Sequence, residues 1–329
     1  MSVRRSTMSC KQQVLVTVPF STSHMRRLRE AAGDDATVTQ ALVAPNSSEM
    51  RELLSSADVV IGEPSPELLA QQTRIRWVQM TWAGSDLFTQ GAITFPEGVR
   101  LTNVAGAAFG HIISQYVVGQ MLALAQNLPT YVRQQTQEEW ATAGPVLSLE
   151  GATVLIFGAG DIGTCTARRL SSFSCHCLGV CRNTQRSLPP FERLVTLGEA
   201  EELLGEADVV VGCLPNTPET AGYFNERRLR AIKPGGLLVN VGRGNFVDCD
   251  ALARVLAEGH LRGAALDVTC PEPLPKGHPL WSESRCAITP HQAGGSFGKC
   301  PQTEERICSI CCENLRHWFA GEPLEHVVY

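Results

Sequence analysis

Four residues in the second half of the chain have the types that move protons and hold carboxylates: Arg243, Asp267, Glu272 and His291. Arg243, Asp267 and His291 stand at or just beyond the end of a short apolar run that reads as a strand (237–241, 263–268 and 286–289), and Glu272 lies in the loop after the second of these. Ligands of an open parallel α/β sheet sit beyond the carboxyl ends of its strands, so these four residues share the edge where chemistry occurs. Histidine titrates near neutrality and suits acid/base work. A carboxylate on its ring favours the protonated form and fixes the ring. Arginine can grip a carboxylate and polarise a neighbouring carbonyl. The set suits hydride transfer between a nicotinamide and a secondary alcohol carbon. His291 is then the acid/base, Glu272 its partner and Arg243 the anchor of a 2-oxo acid, while Asp267 accepts a hydrogen bond from the nicotinamide amide. Taken singly each has a duller reading, a loop histidine or a solvated acid. It is the shared edge that singles them out.

A dinucleotide site must stand beside them, and the stretch 151–163 (G-A-T-V-L-I-F-G-A-G-D-I-G) has the right order. Val154 to Phe157 reads as a buried strand, Gly158, Gly160 and Gly163 as the turn, and 166–170 as the helix that follows. Gly158 permits the tight turn, Gly160 lets the backbone approach a pyrophosphate, and Gly163 lets helix and strand pack closely. The N–H groups at the helix start face the anion. The next strand, 177–181, ends at Arg182, with Arg186 close behind and no carboxylate before Glu192. An acidic residue at that place takes the ribose hydroxyl of NAD, whereas an arginine suits a 2′-phosphate. NADP(H) is therefore expected over NAD(H).

Strand and helix patterns alternate through the whole chain, which predicts an α/β protein with parallel sheets. Expected strands include 13–18, 36–43, 76–81, 100–102 and 208–212, with helices at 24–32, 48–55, 197–204, 226–231, 250–258 and 307–319. A long apolar helix is expected over 106–126, and a polar, glutamine-rich arm with Trp140 over 128–150. Two segments echo one another, S-A-D-V-V-I-G-E-P-S-P-E from Ser56 and E-A-D-V-V-V-G-C-L-P-N-T-P-E from Glu206. The echo predicts two doubly wound domains of similar plan, of which only the second carries the glycine turn.

The 329 residues carry a net charge of −5 and no basic stripe, which argues against nucleic acid as a partner. The longest apolar stretch, 112–125, is too short and too polar to span a bilayer. The first eleven residues lack the apolar core of a secretory signal, so a cytoplasmic location is expected, with organelle targeting by that short basic segment left open. Thirteen cysteines in such a chain predict free thiols. Cys308, Cys311 and Cys312 read as small buried helix residues, and no metal site is expected.

From Trp77 onward the chain resembles the D-2-hydroxyacid dehydrogenases, and among them the glyoxylate/hydroxypyruvate reductases. The resemblance rests on W-A-G-S-D (82–86), G-A-G-D-I-G (158–163), L-P-N-T-P-E-T (214–220), K-P-G-G-L-L-V-N-V-G-R-G (233–244), A-A-L-D-V (264–268), E-P-L-P (272–275), H-P-L-W (278–281) and T-P-H-Q-A-G (289–294). Residues 1–70 match in pattern only. The resemblance implies a flavodoxin-like substrate domain over 1–104, a Rossmann cofactor domain over 105–294 and a return to the substrate domain over 295–329. It implies Arg243, Glu272 and His291 as the catalytic set, and cofactor contacts at Asp161, Ile162, Leu214, Pro215 and Val241 beside those already named. Substrate is implied to meet Trp82, the N–H groups of Ala83 and Gly84 across the cleft from Arg243, and Trp281. A homodimer built on the arm is also implied. The sequence departs from the family at Ser114-Gln115, where many members have Ala-Glu, and at Gln292, where a small or apolar residue is commoner. Two other readings compete with a 2-oxoacid reductase. One is a non-catalytic dinucleotide sensor of the same fold. The other is a formate-type dehydrogenase, which would carry a glutamine where Glu272 stands.

Overall fold

The computed structural model describes residues 11–89 and 97–328. The short basic segment at residues 1–11 lies outside the described residues apart from Lys11. The chain divides into two compact units, one running up to Ala108 and resuming at Gly295, the other Phe109–Gly294. Each is a parallel α/β unit.

The first unit holds a five-stranded sheet of β1 (Gln12–Val16), β2 (Ala36–Gln40), β3 (Val59–Ile61), β4 (Trp77–Gln79) and β5 (Arg100–Thr102). The order is β2-β1-β3-β4-β5 and every pairing is parallel, the flavodoxin-like winding. β3 and β4 are buried along their length; β3 is an unbroken apolar run, as a strand covered on both faces is expected to be, while β4 carries the polar Gln79. Helix Pro301–Ala320 closes the unit through a polar link. Asn314 Nδ2 donates to Gln79 Oε1 at 2.7 Å, and Thr102 Oγ1 donates to the same oxygen at 2.8 Å. Trp77 Nε1 donates to Thr102 Oγ1 at 2.8 Å, and the Glu325 N–H to Asn314 Oδ1 at 2.7 Å. Buried polar atoms cost free energy unless paired, so these bonds fix one seating of the helix and of the chain after it.

The second unit holds seven parallel strands: β6 (Thr153–Phe157), β7 (His176–Val180), β8 (Arg193–Val195), β9 (Val209–Gly212), β10 (Leu237–Asn240), β11 (Gly263–Leu266) and β12 (Cys286–Ile288). Their order is β12-β11-β10-β9-β6-β7-β8, so the winding reverses between β6 and β9. Such a switch point opens a crevice for a dinucleotide. β8 was not expected. The long helix spans Gly110–Ala125, starting four residues later than the pattern suggested. It packs on helix Asp161–Leu170, and the two are tied at both chain and side-chain level. The Gly110 N–H donates to Asp161 Oδ2 at 2.7 Å, and Arg169 Nη2 to the His111 carbonyl at 3.0 Å.

The internal echo extends to side-chain chemistry. Asp58 ends its segment just before β3, and its Oδ2 accepts the Gln13 N–H of β1 at 2.7 Å. Asp208 stands before β9, and its Oδ2 accepts the Thr153 N–H of β6 at 3.0 Å. Each aspartate also has a cation, Arg74 at 2.9 Å for Asp58 and Lys233 at 2.6 Å for Asp208. Burial alone would raise the Asp58 carboxyl, but hydrogen bonds from Arg74 and the Gln13 N–H outweigh it and hold the group below its usual range.

The described cysteines are free thiols. Cys308, Cys311 and Cys312 lie buried in the inner face of helix Pro301–Ala320, with the Cys308 and Cys312 sulfurs 3.9 Å apart. Cys177 sits on β7 and Cys175 just before it, both buried. Among the described residues no group of histidines, cysteines and acids is arranged to hold a metal ion. No described helix is long and apolar enough to cross a membrane.

Candidate active site

His291 and Glu272 meet. His291 Nδ1 lies 2.8 Å from Glu272 Oε1, and both side chains are about half exposed. A carboxylate only accepts, so Nδ1 carries a proton and Nε2 takes no part in the pair. Neutral His291 then offers a lone pair at Nε2, and protonated His291 offers a donor there. An exposed ion pair of this kind adds little stability; its effect is orientation.

The loop that carries His291 hangs on Asp267, at the end of β11. Asp267 is 3% exposed, and hydrogen-bond donors surround its carboxylate. Oδ1 accepts the Gln292 N–H at 2.8 Å and Thr289 Oγ1 at 2.6 Å, while Oδ2 accepts the Ala293 N–H at 2.9 Å. Thr289 spends its only proton on Asp267, so Tyr116 of the long helix must donate to Thr289 Oγ1, 2.7 Å away. Burial pushes the Tyr116 phenol up to about 12, which keeps this donor protonated. The backbone N–H of His291 is held as well, by the Asp267 carbonyl at 2.8 Å and the Thr289 carbonyl at 3.0 Å. This bracing tolerates a left-handed backbone at His291, with φ of 53°. Non-glycine residues adopt that conformation where the surroundings over-determine it. With three donors already in place, Oδ2 keeps capacity for one more, the place where a nicotinamide amide would bond.

Arg243 follows β10 and is aimed by its neighbours. Buried Asn240 accepts the Gly242 N–H at 3.2 Å and donates to the Arg243 carbonyl at 2.9 Å. A Cβ on Gly244 would stand 1.9 Å from the Thr269 carbonyl oxygen, so the loops after β10 and β11 touch through backbone there. Trp281 is half exposed, and its indole N–H is tied to the Pro275 carbonyl at 3.0 Å. Arg243, Asp267, Glu272, His291 and Trp281 all belong to the second unit.

The glycine turn fits a dinucleotide. Helix Asp161–Leu170 begins at Gly160, and its first intrahelical bond runs from the Thr164 N–H to the Gly160 carbonyl at 2.9 Å. The N–H groups of Asp161, Ile162 and Gly163 precede that bond and point out of the helix end. The Asp161 carboxylate itself turns to the Gly110 N–H, so any contact it makes to a phosphate is through its backbone. A Cβ on Gly163 would lie 1.9 Å from the Gly158 carbonyl oxygen, whereas one on Gly160 would meet nothing within 4 Å. The two glycines therefore serve different ends. We expect Gly163→Ala to cost about 1–3 kcal/mol of stability through overpacking. Gly160→Ala should stay within about 1 kcal/mol of wild type yet bind dinucleotide far more weakly. Thermal unfolding beside a fluorescence titration with NADPH checks the pair, and equal thermal losses would refute the distinction.

At the end of β7, Arg182 and Arg186 are exposed. Glu192 is occupied elsewhere, with His176 Nδ1 at 2.7 Å at the start of the same strand. Glu219 is the acid that feels Arg182. Its carboxyl is held below the usual range first by the Thr217 hydroxyl and its own backbone N–H, and to a lesser degree by Arg182. Leu214 and Pro215 follow β9, and Val241 follows β10, on the same edge as the glycine turn.

In the first unit, Trp82, Ala83 and Gly84 form a turn after β4. Trp82 is half exposed. Glu63, in the loop after β3, accepts the N–H groups of Thr81 and Trp82 on Oε1. Asn103 Nδ2 donates to the Ala83 carbonyl at 3.0 Å, and the Val104 N–H to the Trp82 carbonyl at 3.4 Å. Among the described residues no acceptor meets the N–H of Ala83 or Gly84. Glu63, Tyr116 and Asn240 were not expected. Asn240 ends β10, where a search for polar residues at strand ends would have found it. Tyr116 is a lone aromatic in an apolar helix and gives no such sign.

Known proteins share this fold. Residues 118–293 match the family described as D-isomer specific 2-hydroxyacid dehydrogenase, NAD binding domain. The chain is 31% identical over 241 residues to glyoxylate/hydroxypyruvate reductase A of Serratia proteamaculans, covering 71% of this chain and 75% of that one. A D-isomer specific 2-hydroxyacid dehydrogenase family protein from Aeromonas salmonicida superposes with a TM-score of 0.84 at 32% identity, over 97% of this chain and 99% of its own. A D-isomer specific 2-hydroxyacid dehydrogenase from Xanthobacter autotrophicus, solved with NADPH and MES, gives a TM-score of 0.78 at 25% identity, over 97% and 98%.

Proposed function

Because the chain belongs to the D-isomer specific 2-hydroxyacid dehydrogenase family, an NAD(P)-dependent one, we propose that it reduces small 2-oxo acids of the glyoxylate/hydroxypyruvate type to D-2-hydroxy acids, with NADP(H) as its cofactor. The observation that carries the reading is the His291–Glu272 pair at 2.8 Å, on a loop braced by Asp267. The bound nicotinamide supplies the hydride. Arg243 holds the substrate carboxylate and polarises its carbonyl, so charge developing on the carbonyl oxygen meets a cation. His291, protonated, donates from Nε2 to that oxygen, and Glu272 stabilises the imidazolium until the proton leaves. The N–H groups of Ala83 and Gly84 take part in holding the carboxylate, and Trp82 and Trp281 are proposed to meet the substrate. Gly158, Gly160 and the helix start at Asp161, Ile162 and Gly163 cradle the pyrophosphate. Leu214, Pro215 and Val241 flank the dinucleotide, and Asp267 accepts from its amide.

Arg182 supports NADP(H), since an exposed guanidinium with no acid of its own strand beside it suits a 2′-phosphate. The family's name points the other way, to NAD. A kinetic matrix of NADPH and NADH against glyoxylate, hydroxypyruvate, pyruvate and bulkier 2-oxo acids decides both questions. We expect NADPH to be preferred and Arg182→Gln to reduce that preference roughly tenfold, as loss of one charge-assisted bond would. No turnover with any 2-oxo acid would sink the reading, and an unchanged preference in the variant would sink the role of Arg182. The arm after the long helix, with Trp140 fully exposed and Val132 and Val146 more than half exposed, supports a homodimer that covers these groups.

A further inference from the structure

Glu63 is an acid that the proposed chemistry does not use, in the loop after β3. The residue keeps some surface, but its carboxyl group is packed so closely that desolvation dominates it. No lysine, arginine or histidine is among the groups that act on it. Its partners are all in one place. Oε1 accepts the N–H of Thr81, the N–H of Trp82 at 3.1 Å and the Thr81 hydroxyl at 2.9 Å, and the same hydroxyl reaches Oε2 at 3.1 Å. Thr81 is itself fully buried. The following carbonyls, of Trp82 and Ala83, are engaged from the other side by the Val104 N–H and by Asn103 Nδ2. Asn103 is held in turn, its Oδ1 accepting the Ala105 N–H at 3.0 Å.

The pattern is selective. Two successive N–H groups are taken by Glu63, two successive carbonyls are taken by the chain at 103–104, and the next two N–H groups, of Ala83 and Gly84, are left outward. We propose that Glu63 is a positioning residue: it pins the Thr81–Trp82 backbone so that the Ala83 and Gly84 N–H groups are presented to a substrate carboxylate. The inference rests on the reading of this protein as a 2-oxoacid reductase. Asn103 is the counterpart that stops the turn from rolling the other way.

A carboxylate in this place has a second effect. Trp82, whose N–H Glu63 holds, is the residue next to Ala83, so an anion bound at Ala83 and Gly84 comes within several ångströms of the Glu63 charge. Like charges at that range repel even with partial screening. Substrate therefore binds more tightly to the form in which Glu63 is protonated. The titratable group that faces Glu63 from the packed helix Pro301–Ala320 is Cys311, whose thiol burial holds well above its usual range and so uncharged.

The test uses the full chain with NADPH and glyoxylate, and three variants. Glu63→Ala removes the acceptor and should raise KM tenfold or more with kcat within about threefold. Glu63→Gln keeps an oxygen for both N–H groups and should restore KM at pH 6. Above pH 7.5 its KM should fall below that of wild type, because the repelling charge is gone. Asn103→Ala should raise KM as Glu63→Ala does. A Glu63→Ala enzyme with wild-type KM overturns the proposal, as does a Glu63→Gln enzyme whose KM follows wild type at every pH from 6 to 8.5. Should Glu63→Ala fail to fold, the Glu63→Gln comparison decides alone. Hydrogen exchange separates this inference from the assigned activity. The Thr81 and Trp82 amides should be protected in wild type and Glu63→Gln, and exchange at least tenfold faster in Glu63→Ala. If wild type turns over no 2-oxo acid, the reductase reading fails, and unchanged exchange in the variants would overturn the pinning by Glu63 independently.

Discussion

His291→Ala lowers kcat for reduction of glyoxylate or hydroxypyruvate by about 10²–10⁴-fold, the range expected for loss of a general acid. Dinucleotide affinity is unchanged, because His291 lies on the loop after β12 and the glycine turn is built from β6 and the helix behind it. Glu272→Gln has a smaller effect. It leaves an acceptor for Nδ1 at 2.8 Å but removes the charge that stabilises imidazolium. The order His291→Ala, then Glu272→Gln, then wild type is the discriminating outcome in steady-state kinetics with a parallel cofactor titration. A His291→Ala enzyme with more than a tenth of wild-type turnover would mean that another group delivers the proton.

The second large effect is on stability. Burial pushes Glu63 from an ordinary 4.5 up to about 7, against the hydrogen bonds from Thr81 and Trp82, which lower it. An acid whose folded pKa is raised is protonated in the folded state while the unfolded state has already lost its proton. Between pH 4.5 and 7 the folded state therefore binds more protons, and stability falls as pH rises through that window. At about 1.4 kcal/mol for each tenfold in proton affinity, the ceiling is about 3 kcal/mol. Glu63→Gln has no charge to bury and should be more stable than wild type by about 2–3 kcal/mol at pH 8. The difference should vanish at about pH 3, where Glu63 is protonated in both states. Denaturant unfolding at the two pH values measures it. Equal stability of the two proteins at pH 8 would show that the carboxylate is solvated after all.

Much of this site was legible in the amino-acid order, and the reasons are physical. Arg243, Asp267 and His291 each follow a run of apolar residues long enough for one buried strand, and parallel strands put their carboxyl ends on one edge. The glycine turn was legible because Gly158 and Gly163 each answer a separate close backbone approach, and the strand and helix stand on either side of them. The winding of both sheets followed from alternating strand and helix. Glu63 was hidden because a lone acid before a proline reads as solvated, and only the fold shows that its loop runs under the turn at Thr81–Trp82. Tyr116 was hidden because its partner, Thr289, is far away in sequence. The start of the long helix was misplaced because residues 106–109 are as apolar as the helix itself, and it is the Asp161 carboxylate, a contact between distant segments, that sets Gly110 as the first residue.

The paired aspartates before β3 and β9 make each half of the molecule a replicate of the other. Asp58 and Asp208 do the same task, staple an N–H at the start of a neighbouring strand and lean on a nearby cation, yet only one of them lies in the unit with the glycine turn. A change in thermal behaviour on replacing Asp58 and Asp208 in turn would calibrate what this stitch contributes to a doubly wound sheet. Repeating the pair with and without NADPH separates any contribution of bound dinucleotide, since only a loss that changes with the ligand reports on it.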